Sequence, residues 1–385
     1  MAQYILEMPN TEAVNLIVNY LSKYPPEMLI AASKISSART SDAYMSKRIY
    51  DVKEQMALEN SELSHFWVTD DSRFSLFPLR FSDVWKSYKD QLKGFWTAGD
   101  ITFEKDNFSE LPLDIKNVFL NIFGVFTVAD GLVGENLIEN VIPRVKNPEA
   151  RCGYMYQCMI ENIHAEMYGL IAERNLSDRE ERQMVFKSIH KMPAVKLLTD
   201  WIQQYMEGSL GLAQNLVAFV IVESLMFPIM FAFIFWAKNK NYQLQGLYDS
   251  NSLISIDEWS HVFFSGAVIY QKYFPDHLKL PQDLVVCMVD KSIKIQKDFI
   301  TESFGGHRFD GMNEALMHEY TEFMGDNTLQ IFGFEKYYGT ACPFHFMENI
   351  GMQKITDFFT KRPMQYSRPV ELGEDSSLSV IEGEY

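Results

Sequence analysis

One apolar segment, residues 216–237, constrains the fold of this chain more than any other part of its sequence. Its 22 residues read LVAFVIVESLMFPIMFAFIFWA, and only Glu223 and Ser224 interrupt the apolar run. The length would allow a bilayer span, but a carboxylate deep in such a segment is costly in lipid, and Pro228 follows it five residues later. We therefore expect a helix that other helices surround, and its carboxylate then needs a partner.

The overall composition indicates a globular protein. The chain has 385 residues, of which 47% are hydrophobic, enough for a large core. Its 35 Lys and Arg against 51 Asp and Glu give a net charge of −16, which argues against nucleic acid or a membrane surface as a partner. Four cysteines without a CxxC pair fit a reducing compartment, and the N-terminus lacks the features of a signal peptide. We expect a cytoplasmic protein.

Apolar residues recur three and four positions apart through most of the chain, which predicts an all-α fold. The pattern divides the chain into three parts. Residues 1–72 form a partly helical N-terminal extension, and residues 73–360 form one large helical domain. Residues 361–385 are polar and acidic, with few groups able to pack, so we expect a flexible tail.

The motif Glu-x-x-His recurs in this sequence. Its two side chains lie one turn apart on the same face of a helix, where both can bind one metal ion. It occurs three times, as Glu62 with His65, Glu161 with His164, and Glu258 with His261. A dinuclear site in a ferritin-like four-helix bundle uses two such helices and one carboxylate from each of two others. Each true motif should therefore follow a helix that carries an isolated carboxylate.

Two of the three motifs meet that condition. Asp130 ends an uncharged run 31 residues before Glu161, and Glu223 lies 35 residues before Glu258. No such carboxylate precedes Glu62, so we interpret that match as a solvated surface pair. A ferritin-like bundle with a dinuclear metal site is thus predicted, with six ligands: Asp130, Glu161, His164, Glu223, Glu258 and His261. Four carboxylates and two imidazoles without a thiolate favour iron or manganese over structural zinc.

The residues around this site bear on its use. Tyr168 follows His164 by four positions and so projects from the same helix face. By the same spacing from the ligands, Phe227, Phe231 and Ile254 can line its pocket, and an apolar cage would shield a tyrosyl radical. Pro228 predicts a bend or bulge. From these residues alone, iron storage or ferroxidase activity, a dinuclear monooxygenase and oxidation of a protein side chain all remain open.

Several strings identify a resemblance to a known family. They are FWTAGDITFEKD from Phe95, ADGLVGENLIE from Ala129, MIENIHAEMYGL from Met159, DEWSH from Asp257 and FFTKRPMQY ending at Tyr366. Together they resemble the small, radical-generating (beta) subunit of class I ribonucleoside-diphosphate reductase, most of all its eukaryotic and viral members. The resemblance spans residues 74–366.

The resemblance implies a function and a radical path. The six ligands would hold two iron ions, with manganese also possible, which react with oxygen and oxidise Tyr168 to a radical. The radical would pass by His164, Asp257, Trp96 and Tyr366 to the large (alpha) subunit, where ribonucleotides are reduced. The acidic tail end SVIEGEY would dock on that subunit, and the chain would form a homodimer.

The chain departs from the family pattern beside the motif of Glu258 and His261. Members usually have Arg before the Asp-Glu pair and Gly after it, whereas this chain has Ile256 and Trp259. Both positions flank the Asp257-Glu258 pair. We therefore expect a difference in the hydrogen bond between the Asp257 carboxylate and Trp96.

Overall fold

The computed structural model describes residues 54–58, 60–67, 76–176, 192–206 and 211–347. Within these ranges the chain has no β-strand, and its longer α-helices number nine. They are α1 Ser82–Leu92, α2 Leu113–Asn136, α3 Pro148–Asn175, α4 Pro193–Met206, α5 Gly211–Ile221, α6 Phe227–Asn239, α7 Gln245–Val262, α8 Gln282–Phe304 and α9 Glu314–Ile331. The predicted tail and Tyr366 lie outside the described residues.

Three π-helical segments extend or join these helices. Leu137–Val141 continues α2, Val222–Met226 joins α5 to α6, and Phe263–Tyr273 continues α7. The second lies directly before Pro228, where we predicted a bulge. Because proline has no N–H to donate, the carbonyl group one turn earlier loses its α-helical partner, and the wider turn accommodates this loss.

The apolar segment that constrains the fold lies at the centre of the bundle. α6 packs against α2, α7 and α9, while α5 packs against α4, α8 and residues 263–273. The helical stretches Gly211–Asn239 and Leu113–Val141 are both long and apolar enough to cross a membrane, and their most apolar windows are 100% and 61% buried in the fold. Neighbouring helices thus explain why α5 and α6 are apolar on all sides.

The loop between α1 and α2 is fastened to the start of α7. The Asp106 carboxylate accepts hydrogen bonds from the backbone N–H groups of Gly246 (2.7 Å) and Leu247 (3.0 Å), which have no partner within the helix. A Cβ atom at Gly246 would lie 2.5 Å from the Thr102 carbonyl oxygen. Glycine therefore allows this close approach, which brings the loop that contains Trp96 against α7.

Part of the predicted N-terminal extension packs into the core. Phe66 and Trp67 belong to the one-turn helix Ser64–Trp67 and are fully buried. Glu62 and His65 are exposed, as expected for a surface pair. Residues 60–67 therefore pack as part of the helical domain.

Candidate metal centre

Four helical stretches deliver the six predicted ligands to one point in the core. Asp130 lies on α2, Glu161 and His164 lie on α3, Glu223 lies in the π-helical segment, and Glu258 and His261 lie on α7. Each of these side chains is at most 4% exposed. Ligand atoms of Asp130, Glu161 and His164 lie within 4.8 Å of one another, and so do those of Glu161, Glu223, Glu258 and His261.

Two of the carboxylates lie between the two histidines. Glu161 is 3.4 Å from His164 Nδ1 and 3.2 Å from His261 Nδ1. Glu258 is 3.3 Å and 3.4 Å from the same two atoms. Since each carboxylate has one oxygen near each imidazole, Glu161 and Glu258 have the arrangement of bridging ligands. Asp130 and Glu223 lie at opposite sides, as terminal ligands would.

The metal-free site concentrates negative charge in a buried volume. Burial raises the pKa of Asp130 well above its usual value, and the neighbouring carboxylates Glu161 and Glu258 raise it further. Burial also raises the pKa of Glu223 well above its usual value, with Glu258 adding to the effect. These shifts express the cost of ionising carboxyl groups that lie close together away from water.

For the two imidazoles, burial and the neighbouring carboxylates shift the pKa in opposite directions. Burial by itself would lower the pKa of His164, but Glu258, Asp257 and Glu161 outweigh it and raise that pKa well above its usual value. The pKa of His261 is likewise raised, because Glu161, Glu223 and Glu258 outweigh burial. Burial would raise the pKa of Glu258, but its contacts with Glu223 and both histidines lower it instead.

The donor set fits a pair of divalent metal ions. Among the described residues, both carboxylate oxygens of all four acidic ligands lack a hydrogen-bond partner, as do Nδ1 of His164 and both ring nitrogens of His261. Buried polar atoms without partners are rare in folded proteins, and two divalent cations would satisfy and neutralise these groups together. The prediction of one buried cluster from all six residues therefore agrees with their placement.

Tyr168 lies in an apolar cage beside this cluster. Its hydroxyl is buried and has no hydrogen-bond partner among the described residues. Its ring stacks on Phe126 with a centroid distance of 4.6 Å. Burial raises the pKa of Tyr168 well above its usual value, and Asp130 contributes the next largest effect. The phenol therefore stays neutral and shielded from water.

Phe126, which the sequence did not predict, lies between Tyr168 and two of the predicted cage residues. Phe227 and Phe231 pack on Phe126, at 5.6 Å and 5.3 Å between ring centroids, so Phe126 separates them from direct stacking on Tyr168. Ile254 is fully buried on α7. Phe126 precedes Asp130 by four positions, so the spacing rule applied to the other ligands would have found it.

A chain of contacts leads from the candidate metal cluster to a buried tryptophan outside it. Trp96 Nε1 donates a hydrogen bond of 2.7 Å to Asp257 Oδ2. The same oxygen lies 3.3 Å from His164 Nε2, and the rings of Trp96 and His164 stack at 6.1 Å. One oxygen of Asp257 thus connects His164, a predicted ligand, with Trp96, which lies 161 positions before Asp257 in sequence.

Comparison with known proteins decides the family. The model of the family described as "Ribonucleotide reductase, small chain" matches residues 73–343. This chain belongs to the ribonucleotide reductase small-chain family. By family it is the small chain of a ribonucleoside-diphosphate reductase, an oxidoreductase. The predicted family and the all-α, ferritin-like fold are therefore confirmed.

Viral and eukaryotic small chains are among the similar proteins. The ribonucleoside-diphosphate reductase small chain of Vaccinia virus (strain Copenhagen) is 36% identical over 299 residues, 77% of this chain and 92% of that protein. The small chain of Spisula solidissima is 36% identical over 301 residues, 77% of this chain and 76% of that protein. The solved Rnr4 homodimer from Saccharomyces cerevisiae has a TM-score of 0.66 at 28% identity, covering 83% of this chain and 98% of that one.

The two departures from the family pattern leave the reductase's tryptophan–carboxylate contact intact. Ile256 and Trp259 are half-buried, and Trp259 packs against the hydrophobic core. Asp257 points the other way, is 4% exposed and accepts the bond from Trp96. On a helix, neighbouring positions face different directions, so apolar residues on either side of Asp257 do not block its contact.

Proposed function

We propose that this small chain generates a radical at Tyr168 and passes it to a large subunit, which reduces ribonucleotides to deoxyribonucleotides. The observation that carries the proposal is the shared oxygen of Asp257, which contacts both His164 and Trp96. A buried carboxylate aligned on a ligand imidazole and an indole N–H is suited to moving an electron and a proton together. The outer end of the proposed path, Tyr366, lies outside the described residues.

The protein groups at Tyr168 favour a long-lived radical. One-electron oxidation of the phenol also releases its proton, which would pass to the neighbouring carboxylate cluster, since the hydroxyl has no hydrogen-bond partner among the described residues and Asp130 is the carboxylate that acts on it most strongly. The stacked Phe126 and the buried rings behind it exclude water and reductants. A radical formed at Tyr168 would therefore be shielded from quenching.

We propose that the cofactor is a pair of iron ions held by Asp130, Glu161, His164, Glu223, Glu258 and His261. When bound, the metal pair would reduce oxygen and supply the oxidising power for the tyrosine. Oxygen and nitrogen donors of this kind also accept manganese. Glu161 and Glu258 would contribute to holding both ions, because each lies within 3.4 Å of both histidines.

We propose two protein partners and a cellular compartment. The tail, residues 361–385, would dock on the large subunit. A second copy of the chain would form a homodimer, as in the similar Rnr4 structure, and the π-helical continuation of α2 and the outward face of α3 expose Ile138, Met155 and Met159 for burial in such an interface. The four free cysteines support a reducing, cytoplasmic location. Light scattering after size exclusion should give twice the 44.7 kDa of one chain.

Low-temperature electron paramagnetic resonance tests the radical. Protein loaded with ferrous iron and exposed to oxygen should give a tyrosyl signal and about two irons per chain, the number expected for a dinuclear carboxylate site. Two irons with no radical would contradict radical generation by iron and would favour iron storage, an oxidase activity or a manganese centre.

A further inference from the structure

Glu54 caps the helix that leads to Glu223, although it lies outside the part of the chain that matches the family model. Its carboxylate is buried and accepts hydrogen bonds from the backbone N–H groups of Leu212 (2.7 Å) and Ala213 (3.3 Å). Arg144 lies 3.9 Å from the same carboxylate. A negative charge at a helix N-terminus is favourable because it meets unpaired N–H groups and the positive end of the helix dipole.

The cap acts on the axial position of Glu223. α5, the π-helical segment Val222–Met226 and α6 follow one another without a break. Glu223 lies 12 residues after Gly211, which is roughly 18 Å along a helix at 1.5 Å per residue. An axial shift of α5 would therefore displace Glu223 relative to Glu258 and His261 on α7.

The other end of the same N-terminal segment holds the continuation of α7. Trp67 is fully buried and its Nε1 donates a hydrogen bond of 2.6 Å to the Tyr273 carbonyl oxygen. Phe66 stacks on the Tyr273 ring with a centroid distance of 4.4 Å. Tyr273 is the last residue of the π-helical segment that follows Glu258 and His261.

The two attachment points lie at the same end of an antiparallel helix pair. His261 is 3.4 Å from Glu223, and a Cβ atom at Gly266 would lie 3.4 Å from Val220. The residue that α5 and its continuation place in contact thus comes earlier in the chain as the contacting residue after α7 comes later, so the two helices are antiparallel. Continuing in these directions brings the start of α5 towards Tyr273.

We propose that residues 54–67 clamp these two helices and that Glu54 is a positioning residue for the metal ligand Glu223. This inference rests on the proposed metal centre and adds a residue to it. The clamp acts directly on the helices that carry Glu223, Glu258 and His261. Asp130 lies on α2, and Glu54 approaches that helix at 3.9 Å through Arg144, three residues after the end of its π-helical continuation.

Anaerobic titration of the full-length protein with Mn²⁺ tests the clamp, with free Mn²⁺ measured by electron paramagnetic resonance. In Glu54→Gln and Glu54→Ala, one of two sites should weaken at least about tenfold, equivalent to 1.4 kcal/mol, and the alanine variant should show the larger effect. Glu62→Gln is the matched control, because it makes the same chemical change at an exposed position of the same segment. Its two affinities should equal those of the wild type.

A second control separates positioning from a general loss of stability. Asn313 caps α9 through Leu316 N–H, and α9 carries no ligand, so Asn313→Ala should lower the melting temperature and leave both affinities unchanged. The clamp is overturned if the Glu54 variants, folded by circular dichroism, keep both affinities or weaken both equally. Wild-type protein that binds fewer than two ions would instead overturn the metal centre itself.

Discussion

At the scale of single residues, the environment of a tyrosine decides its chemistry. Tyr154 and Tyr168 lie on the same helix and both are buried; the Tyr154 hydroxyl lies beside Ser265, whereas the Tyr168 hydroxyl lacks a hydrogen-bond partner among the described residues. Burial raises the pKa of both. Only the pKa of Tyr168 is also raised by the carboxylates of the metal cluster, which shows that this phenol lies close to them.

Replacing Tyr168 by phenylalanine should abolish the radical and leave the metal content at the wild-type value. The change removes a buried hydroxyl without a partner, so it should cost little or no stability. Tyr154→Phe removes a similar buried hydroxyl away from the cluster and should retain the radical. Paramagnetic resonance and iron analysis of both variants check this, and a tyrosyl signal that survives in Tyr168→Phe would contradict the assignment.

At the scale of elements, the loop between α1 and α2 must stay against α7 for Trp96 to reach Asp257. In Gly246→Ala the new Cβ would meet the Thr102 carbonyl oxygen at 2.5 Å and the Phe103 ring at 2.7 Å. The loop has to move, at a cost of about 1–3 kcal/mol. We expect a normal tyrosyl signal with turnover reduced about 5- to 150-fold, since the loop position that Trp96 needs becomes less populated and each 1.4 kcal/mol is a factor of ten.

Gly99 provides the control for this substitution in the same loop. A Cβ atom there would meet only Thr97 Oγ1, at 3.8 Å, so Gly99→Ala should keep both radical and turnover. Radical yield and activity with added large subunit are measured for both variants. Full activity in Gly246→Ala would show that the close approach of the loop does not support the relay.

The ionisable groups on the helices that meet at the metal centre predict that the free energy of unfolding depends on pH. In the metal-free protein the pKa values of Asp130, Glu223, His164 and His261 are raised, so the folded state binds more protons than the unfolded state. Stability should then fall as pH rises from about 6 to 8. The lowered pKa of Glu258 acts in the opposite sense only below its usual value.

Thermal unfolding followed by circular dichroism at pH 6, 7 and 8 measures this slope. Added Mn²⁺ should raise the melting temperature most at pH 8, because metal replaces the protons that the ligands bind at lower pH. Glu223→Gln removes one of the four groups and should flatten the metal-free slope. A melting temperature that increases with pH in the metal-free protein would contradict this electrostatic description.

At the scale of the whole molecule, the domain that makes the radical and the tail that would deliver it have separate roles. Removing residues 378–385 should leave the tyrosyl signal unchanged, because the cage and the six metal-binding candidates all lie between Phe126 and His261, and should abolish turnover with the large subunit. Activity assays with added large subunit check this. Unchanged turnover in the truncated protein would rule out docking through the tail. Glu62→Gln serves as the control, since its exposed side chain should affect neither measurement.

Local periodicity determined much of this protein from its sequence. Ligands such as Glu161 and His164 could be predicted because a spacing of three places two side chains on one helix face. Asp130 and Glu223 could be predicted because isolated charges in apolar helices need partners. The helical class follows from the same pattern, and so does the pocket of Tyr168, apart from Phe126.

Only the tertiary structure decided how distant groups meet. The resemblance had paired Trp96 with Asp257, 161 positions apart, but not the one oxygen that Asp257 uses for both Trp96 and His164, and no pattern indicated the contact of Glu54 with Leu212, 158 positions apart. The structure also showed that Glu161 and Glu258 lie between both histidines. The physical reason is that spacing fixes directions around one helix axis, whereas contacts between helices depend on how whole helices pack, and no local pattern records that packing.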